Sequence, residues 1–246
     1  MKSSIVAYRP FGTFRLVLAV LVLAQHIAAN CAPAWIADLL VPYEIGSVAV
    51  LVFFALSGYV ICEAADLIYK RRPAAFLANR LLRIAPHYLA AVTATVMLTA
   101  VLASMHPVRL SWQHILDPSV AFDVRNLFAN LFGFLPFTNR AMREDLIPVA
   151  WAVRIEMIFY LVVVAILLAG RSLPILLRMR TDFAVLATAA VAAITPLFLL
   201  AMLHKAPAFL QLAPYFVFGG ALYLAQARRS GVALAIALVA CTGIAW

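Results

Sequence analysis

Two residues of the first apolar stretch, Arg15 and His26, have types and spacing that suit a reaction site. The stretch runs from Phe14 to Ala29, and the two residues stand eleven positions apart. At about 3.6 residues per turn and about 1.5 Å per residue, they share one helix face and lie roughly 16 Å apart along it. Polar groups are costly at membrane depth and usually face a bundle interior or a water-filled cavity. The spacing therefore predicts that this face forms one wall of a reaction site.

Glu156 is the second candidate, because it lies well inside the apolar run Pro148–Leu168. An acidic residue there costs about 2.5–3.5 kcal/mol on insertion scales and needs a partner. Counting about 1.5 Å per residue places Glu156 roughly 10 Å, and His26 roughly 12 Å, below the same surface. A carboxylate that orients the ring and raises its basicity is thus geometrically allowed. The alternative is that Glu156 bonds Arg154 or a tyrosine for structural reasons alone.

Arg80 and Arg83 form the third candidate group. They belong to Glu63–Ala85, where apolar and basic residues recur at helical spacing, which predicts an amphipathic helix at the cytoplasmic interface. Residues three apart are neighbours on a helix, and two guanidinium forks there would clamp a phosphate-bearing ligand arriving from the cytoplasm. The alternative is contact with lipid headgroups and control of topology.

The elements that position these residues are predicted to be membrane-spanning helices. The chain is 66% hydrophobic and only 12% charged, which places it outside the range of soluble domains. We expect an all-α, polytopic transmembrane bundle of about six to seven spans, which forms a single integral-membrane domain over 1–246. The expected spans are Phe14–Ala29, Ile45–Cys62, Pro86–Ser104, Pro148–Leu168, Phe183–Leu203, Leu210–Gln226 and a final run, Val232–Trp246.

The net charge of +9 is interpreted as a topology signal. With a cytoplasmic N-terminus, thirteen of the 19 Lys and Arg residues fall in inside segments, which fits the positive-inside rule. Nucleic-acid binding is not expected, because no soluble basic domain is present. The three cysteines are far apart and have no CxxC pair or His at metal spacing, so neither a metal site nor a disulfide framework is expected.

Two further stretches are relevant to the site. Ser57 and Gly58 are small enough to let another helix approach closely, and Ser57 is interpreted either as part of a packing face or as part of a site wall. The long segment Met105–Ile147 is expected to contain local helices and to form the outer mouth of a site. Its short apolar piece, Asn126–Phe137, is too short to span comfortably and is interpreted as re-entrant or interfacial.

Four blocks in sequence order resemble the acyltransferase family 3 membrane O-acyltransferases, a bacterial family that O-acetylates surface glycans. Arg15 and His26 match the family's Arg-ten-residues-His pattern, and Phe53–Ile61 (FFALSGYVI) resembles its FFxLSGFLI stretch. Phe76–Tyr88 (FLANRLLRIAPHY) is similar to its RxxR and Pro-x-Tyr segment, and Trp151–Leu161 (WAVRIEMIFYL) to its WSLSVEEQFYL block. Phe216 and Gly219 give a weaker match.

This resemblance implies acyl transfer, in particular of acetyl, from cytoplasmic acyl-CoA to a hydroxyl of a glycan or glycolipid. The acyl-CoA would be a substrate rather than a bound cofactor, and the protein would lie in the bacterial cytoplasmic (inner) membrane among lipids. His26 would be the general base or transient acyl carrier and Glu156 its orienting group. The donor-binding residues would be Arg15, Arg80 and Arg83, and the other substrate-binding residues would be Ser57, Trp151 and Tyr160.

The chain also departs from the family pattern. Gly12-Thr13-Phe14-Arg15 replaces Asp-Gly-Leu-Arg, and Ala152, Arg154 and Met157 replace two serines and a glutamate of the Trp block. The family typically has ten spans, so the sequence predicts a C-terminally incomplete or short relative. Two other functions remain open. One is a transporter or flippase that uses intramembrane His and Glu as a proton relay, and the other is an inactive truncated scaffold.

Overall fold

The computed structural model describes residues 11–70, 72–105, 122–136, 138, 142–177 and 208–228. Every regular element in these residues is a helix, which confirms the all-α prediction for this part of the chain. The elements are α1 (Phe11–Cys31), α2 (Ala34–Leu40), a 3-10 turn (Val41–Tyr43), α3 (Ile45–Leu67), α4 (Pro73–Met105), α5 (Val124–Leu131), α6 (Ala150–Leu177) and α7 (Ala208–Arg228).

Four stretches of the described residues are long and apolar enough to cross a membrane, and a fifth apolar helix is shorter. The four are Phe11–Ala29, Ala34–Leu67, Pro73–Val101 and Ala150–Ala169, and the shorter one is Leu212–Ala227. These five helical stretches overlap five of the seven predicted spans. The other two, Phe183–Leu203 and Val232–Trp246, lie outside the described residues, so six to seven spans stays a prediction.

The segment Glu63–Ala85 differs from its prediction as a separate interfacial helix. Its first residues complete α3, the backbone leaves the helix after Leu67, and α4 then continues without a break from Pro73 into the predicted span. Proline suits the first position of a helix, because its missing N–H would have no intrahelical partner there. Pro86 lies inside α4 and removes one backbone hydrogen bond without ending the helix.

The segments between the long helices contain short helices. The stretch 30–44 includes α2 and the 3-10 turn. In the long segment before α6, Asp123 caps the start of α5 by accepting a hydrogen bond from the backbone N–H of Asn126 at 3.3 Å. Such caps satisfy one of the otherwise unpaired N–H groups at a helix start. The expectation of local helices there is confirmed for its described part.

The chain divides into two compact units, Met1–Val60 with Val191–Trp246, and Ile61–Ala190. In the first unit, α7 packs so closely on α3 that backbone meets backbone. A methyl group on Gly58 would overlap Phe216, and one on Gly219 would overlap the carbonyl of Ala55. The rings of Phe54 and Phe216 pack beside this crossing, with centroids 5.1 Å apart. Small residues permit such approaches between membrane helices.

In the second unit, α4 packs along α6. Its core cluster consists of Tyr88, Val92, Phe134, Leu146 and Ala150. The cluster joins both long helices to the segment between them, and the ring of Tyr88 packs edge-on against Phe134 at 5.4 Å. This unit therefore holds α4, α5 and the start of α6 around one apolar core. The single-domain prediction stays a prediction.

Candidate functional site

Arg15 is held against α3 in the first unit. Its Nη2 donates to the hydroxyl of Ser57 at 2.9 Å, and its guanidinium lies over the ring of Phe53 at 5.1 Å from the centroid. Ser57 is fully buried. The two residues that the sequence assigns to the site on α1 and α3 are thus in direct contact. Phe53 and Ser57 are four apart and lie on one face of α3, which presents a ring and a hydroxyl to the cation.

The ring of His26 is oriented by its own helix. Nδ1 lies 2.8 Å from the carbonyl oxygen of Val22, one turn earlier. Because a carbonyl can only accept, this bond requires the proton on Nδ1, and the neutral ring then carries its lone pair on Nε2. A neutral ring that donates from Nδ1 to this carbonyl has the form that a general base or a nucleophile acting through Nε2 needs.

Arg80 is a buried charged group of the second unit. It is only 5% exposed, and its Nε has no hydrogen-bond partner. The described contacts of its guanidinium are two aromatic rings, with centroids 5.3 Å (Phe76) and 5.7 Å (Tyr160) from its central carbon. Ring faces attract a cation, but a buried charge normally also has an anionic partner. This position has the chemistry of an anion site.

Tyr160 connects this cation to Glu156. Its hydroxyl donates to Oε1 of Glu156 at 2.7 Å, while its ring covers Arg80. The tyrosine is buried and the glutamate half-buried. Positions four apart on α6 place the two side chains one above the other. A cation, an aromatic wall and a carboxylate are thereby joined in a single cluster, which we call the Arg80 cluster (Phe76, Arg80, Glu156 and Tyr160).

The structure brings some predicted site residues together and leaves others apart. Arg83 is exposed, unlike its neighbour Arg80, and Trp151 is 40% exposed. His26 belongs to the first unit and Glu156 to the second, so the predicted His–Glu pair stays a prediction. The alternative partner proposed for Glu156, a tyrosine, is present in Tyr160.

Arg154 forms an ion pair that the sequence analysis missed. Its two terminal nitrogens bind both oxygens of Asp145 at 3.1 and 2.8 Å, and Nη1 also donates to the carbonyl of Gly133 at 3.3 Å. Arg154 is 8% exposed and the side chain of Asp145 is 34% exposed, so the guanidinium is buried while water still reaches the carboxylate. The bidentate pair ties the first turns of α6 to the segment that precedes the helix.

Asn126 and Asn130 fix the same segment from the other side, which the sequence analysis also missed. Both are fully buried. The Oδ1 of Asn126 accepts from the backbone N–H groups of Arg143 and Glu144, and that of Asn130 accepts from Leu146. The available signal was two asparagines one helical turn apart in an otherwise apolar piece. No sequence signal marks Asp145 as the partner of Arg154.

Comparison with known proteins gives one match. A family model described as an acyltransferase domain matches residues 12–246. The match covers all the described elements except the first residue of α1. No curated protein and no solved structure matches the chain.

Proposed function

Since this chain belongs to acyltransferase family 3, a family of membrane acyltransferases, we propose a specific reaction for it. In this reaction an acetyl group moves from cytoplasmic acetyl-CoA to a hydroxyl of a cell-surface or exported glycan. The protein would act in the bacterial cytoplasmic membrane, with its N-terminus in the cytoplasm. The observation that carries the proposal is the Arg80 cluster, which offers an anionic donor a buried cation beside a carboxylate.

The donor chemistry fits Arg80 well. Coenzyme A carries phosphates, and the planar guanidinium fork binds phosphate oxygens in bidentate fashion. The rings of Phe76 and Tyr160 flank the guanidinium, so water competes less for it and an arriving anion is bound more strongly. Arg83, one turn away and exposed, would supply a second cation at the entrance, and Arg15 would supply the corresponding charge in the first unit.

The acceptor chemistry is assigned to His26. Its Nε2 would take the proton from the acceptor hydroxyl while the oxygen attacks the thioester carbonyl. The new O–acetyl bond forms, the carbon–sulfur bond breaks, and the proton passes from Nε2 to the departing CoA sulfur. A transient acetyl on Nε2 would use the same lone pair, so the tautomer set by Val22 supports either route.

The sequence predicts that Glu156 orients His26, but the bond from Nδ1 to Val22 already orients the ring, so in this proposal the negative charge of Glu156 would stabilise the imidazolium that forms when Nε2 takes the proton. One oxygen of Glu156 accepts the hydroxyl of Tyr160, and a carboxylate has further acceptor positions for a second donor. Ser57 holds Arg15, and Trp151 supplies an exposed aromatic surface, on which a sugar ring could pack.

The experiment uses the full chain in lipid vesicles with acetyl-labelled acetyl-CoA and the glycan of the host. The proposal predicts labelled O-acetyl glycan and free CoA in a one-to-one ratio. Movement of either substrate across the bilayer without release of CoA would contradict it and indicate a transporter. Release of CoA without labelled glycan would indicate thioester hydrolysis and contradict the assigned acceptor.

A further inference from the structure

The polarity of α5 is reversed relative to that of a helix on a water-facing surface. Asn126 and Asn130 are fully buried, whereas Val124 and Phe128 are 78% and 64% exposed. Phe132, directly after the helix, is also exposed, and its ring packs on that of Phe128 at 5.3 Å. A helix at an aqueous surface turns its apolar stripe to the core. The outward face of α5 therefore suits apolar surroundings.

Hydrogen bonds fix this orientation. The amide oxygens of the two asparagines accept from three backbone N–H groups of the segment 143–146, and Nδ2 of Asn130 donates to the carbonyl of Glu144 at 2.9 Å. Rotating α5 to bury its aromatic residues would break these bonds and leave buried polar groups unpaired, which is costly. The hydrogen bonds of the two asparagines therefore hold the apolar face of α5 outward.

The packing of α5 places it beside a candidate membrane span. Leu127 packs against the core cluster that contains Val92, and Val96 packs against the same cluster. Both valines belong to the candidate span Pro73–Val101. A helix of eight residues is about 12 Å long and cannot cross a hydrocarbon core about 30 Å thick. α5 therefore lies beside the candidate span of α4 and is too short to cross the bilayer itself.

An open groove of about 600 Å³ runs along the exposed face. Its lining is apolar except for two side chains, and it consists of Val124, Arg125, Phe128, Ala129, Phe132 and Thr138. Arg125 is exposed and forms no ion pair with any residue within the described ranges. An arginine at a membrane surface lays its stem along apolar groups and extends its charge to the phosphates of lipid headgroups.

We propose that α5 is a re-entrant membrane anchor. Its groove takes the acyl chain of a phospholipid from the leaflet in which α4 ends and α6 begins, and Arg125 binds the phosphate of that lipid. This inference is independent of the acyl-transfer proposal. It has a structural consequence, because the same helix holds the segment that carries Asp145. By holding this segment, the membrane anchor would also keep Asp145 in place to bind Arg154.

The first test measures the surroundings of the groove directly. A nitroxide label is placed at Phe128 or Phe132 in a chain whose three cysteines are replaced by alanine, reconstituted in phosphatidylethanolamine–phosphatidylglycerol vesicles. Power saturation then compares collisions with oxygen and with a water-soluble nickel complex. A label at Leu89, exposed on α4, is the lipid reference, and one at Arg143, exposed in the segment before α6, is the water reference.

The proposal predicts that oxygen contact exceeds nickel contact at Phe128 and Phe132, as at Leu89. Nickel contact equal to that at Arg143 would show that the groove faces water and would overturn the proposal. Low contact with both reagents would show that protein fills the groove, and would overturn it equally.

The second test concerns Arg125. Phosphatidylglycerol retained by the purified protein is measured for Arg125→Gln and for the matched variant Arg143→Gln. The loss of one cation from a membrane surface predicts an approximately fivefold weaker retention for Arg125→Gln, with little change for Arg143→Gln. Unchanged retention, or an equal fall in both variants, would overturn the assignment of Arg125 as the phosphate ligand.

Discussion

The side chain of Tyr160 contacts two charged residues at once: its hydroxyl donates to Glu156 at 2.7 Å, and its ring lies over Arg80 at 5.7 Å. The two contacts use different parts of the residue. Substitutions can therefore remove the hydroxyl while keeping the ring, or remove both. This separation allows the roles proposed for the carboxylate and for the cation to be tested independently.

Tyr160→Phe removes only the hydroxyl. We expect kcat to fall about 10- to 150-fold, because a hydrogen bond to a charged group contributes about 1.5–3 kcal/mol. The KM for acetyl-CoA should hardly change, since the ring over Arg80 remains. Tyr160→Leu should lower kcat and also raise this KM. Steady-state kinetics in vesicles checks both variants, and an increased KM in Tyr160→Phe would contradict the division of roles.

Arg80→Gln removes the buried cation. The affinity for the anionic donor should fall at least about tenfold, which corresponds to about 1.4 kcal/mol, because nothing else in the Arg80 cluster is positively charged. Binding of CoA to the purified protein measures this directly. Arg72→Gln makes the same charge change at an exposed position and should leave the affinity within about twofold. Equal effects of the two variants would refute a specific role for Arg80.

Gly219→Ala tests the close crossing of α3 and α7. The added methyl group overlaps the carbonyl of Ala55, and the backbone cannot yield as a flexible side chain would. Overpacking of this kind typically costs about 1–3 kcal/mol, so the unfolding temperature in detergent should fall. Gly12→Ala is the matched control, because nothing lies within 4 Å of its added methyl group. An unchanged unfolding temperature for Gly219→Ala would show that α3 and α7 do not approach each other as closely as described.

Asp145→Asn should destabilise the second unit, because it leaves the buried guanidinium of Arg154 without its carboxylate. Breaking a buried pair costs about 3–5 kcal/mol. Since the side chain of Asp145 is 34% exposed, water compensates part of the loss and we expect about 2 kcal/mol. Detergent unfolding measures this cost. The double variant Asp145→Leu with Arg154→Met should recover most of the stability, and additive losses would contradict a direct pair.

The amino-acid sequence predicts the helical architecture well because membrane helices follow from long apolar runs. The sequence analysis also singled out Arg15 from its spacing to His26 and Ser57 from its small polar side chain, and the two residues are in contact in the structure. Sequence prediction failed where a partner lies outside the helix that carries the residue. Arg154 in α6 binds Asp145, which lies nine residues earlier in the segment before that helix, and no helical spacing encodes that contact. The unequal burial of Arg80 and Arg83 likewise depends on which face of α4 meets α6, since both lie on one amphipathic stretch.

The boundary between α3 and α4 shows a second limit of prediction from the sequence. Charge and apolar periodicity predicted an interfacial helix separate from the following span, Pro86–Ser104. The structure instead begins the helix at Pro73 and carries it through Pro86. A proline costs one hydrogen bond, and Tyr88 and Val92, which follow it in α4, pack into the core cluster. Tertiary packing therefore decided a boundary that local propensity placed elsewhere.

The most direct test of the account is acyl transfer by His26→Ala compared with His87→Ala. Both histidines are exposed and direct Nδ1 at the carbonyl four residues earlier in their own helix, so the two substitutions remove equivalent local bonds. With equal amounts of each variant inserted, we predict that His26→Ala loses at least about 100-fold in transfer rate, in line with removal of a general base. His87→Ala should retain wild-type transfer. Full activity in His26→Ala, or equal losses in both variants, would contradict the assignment of His26 as the reacting group.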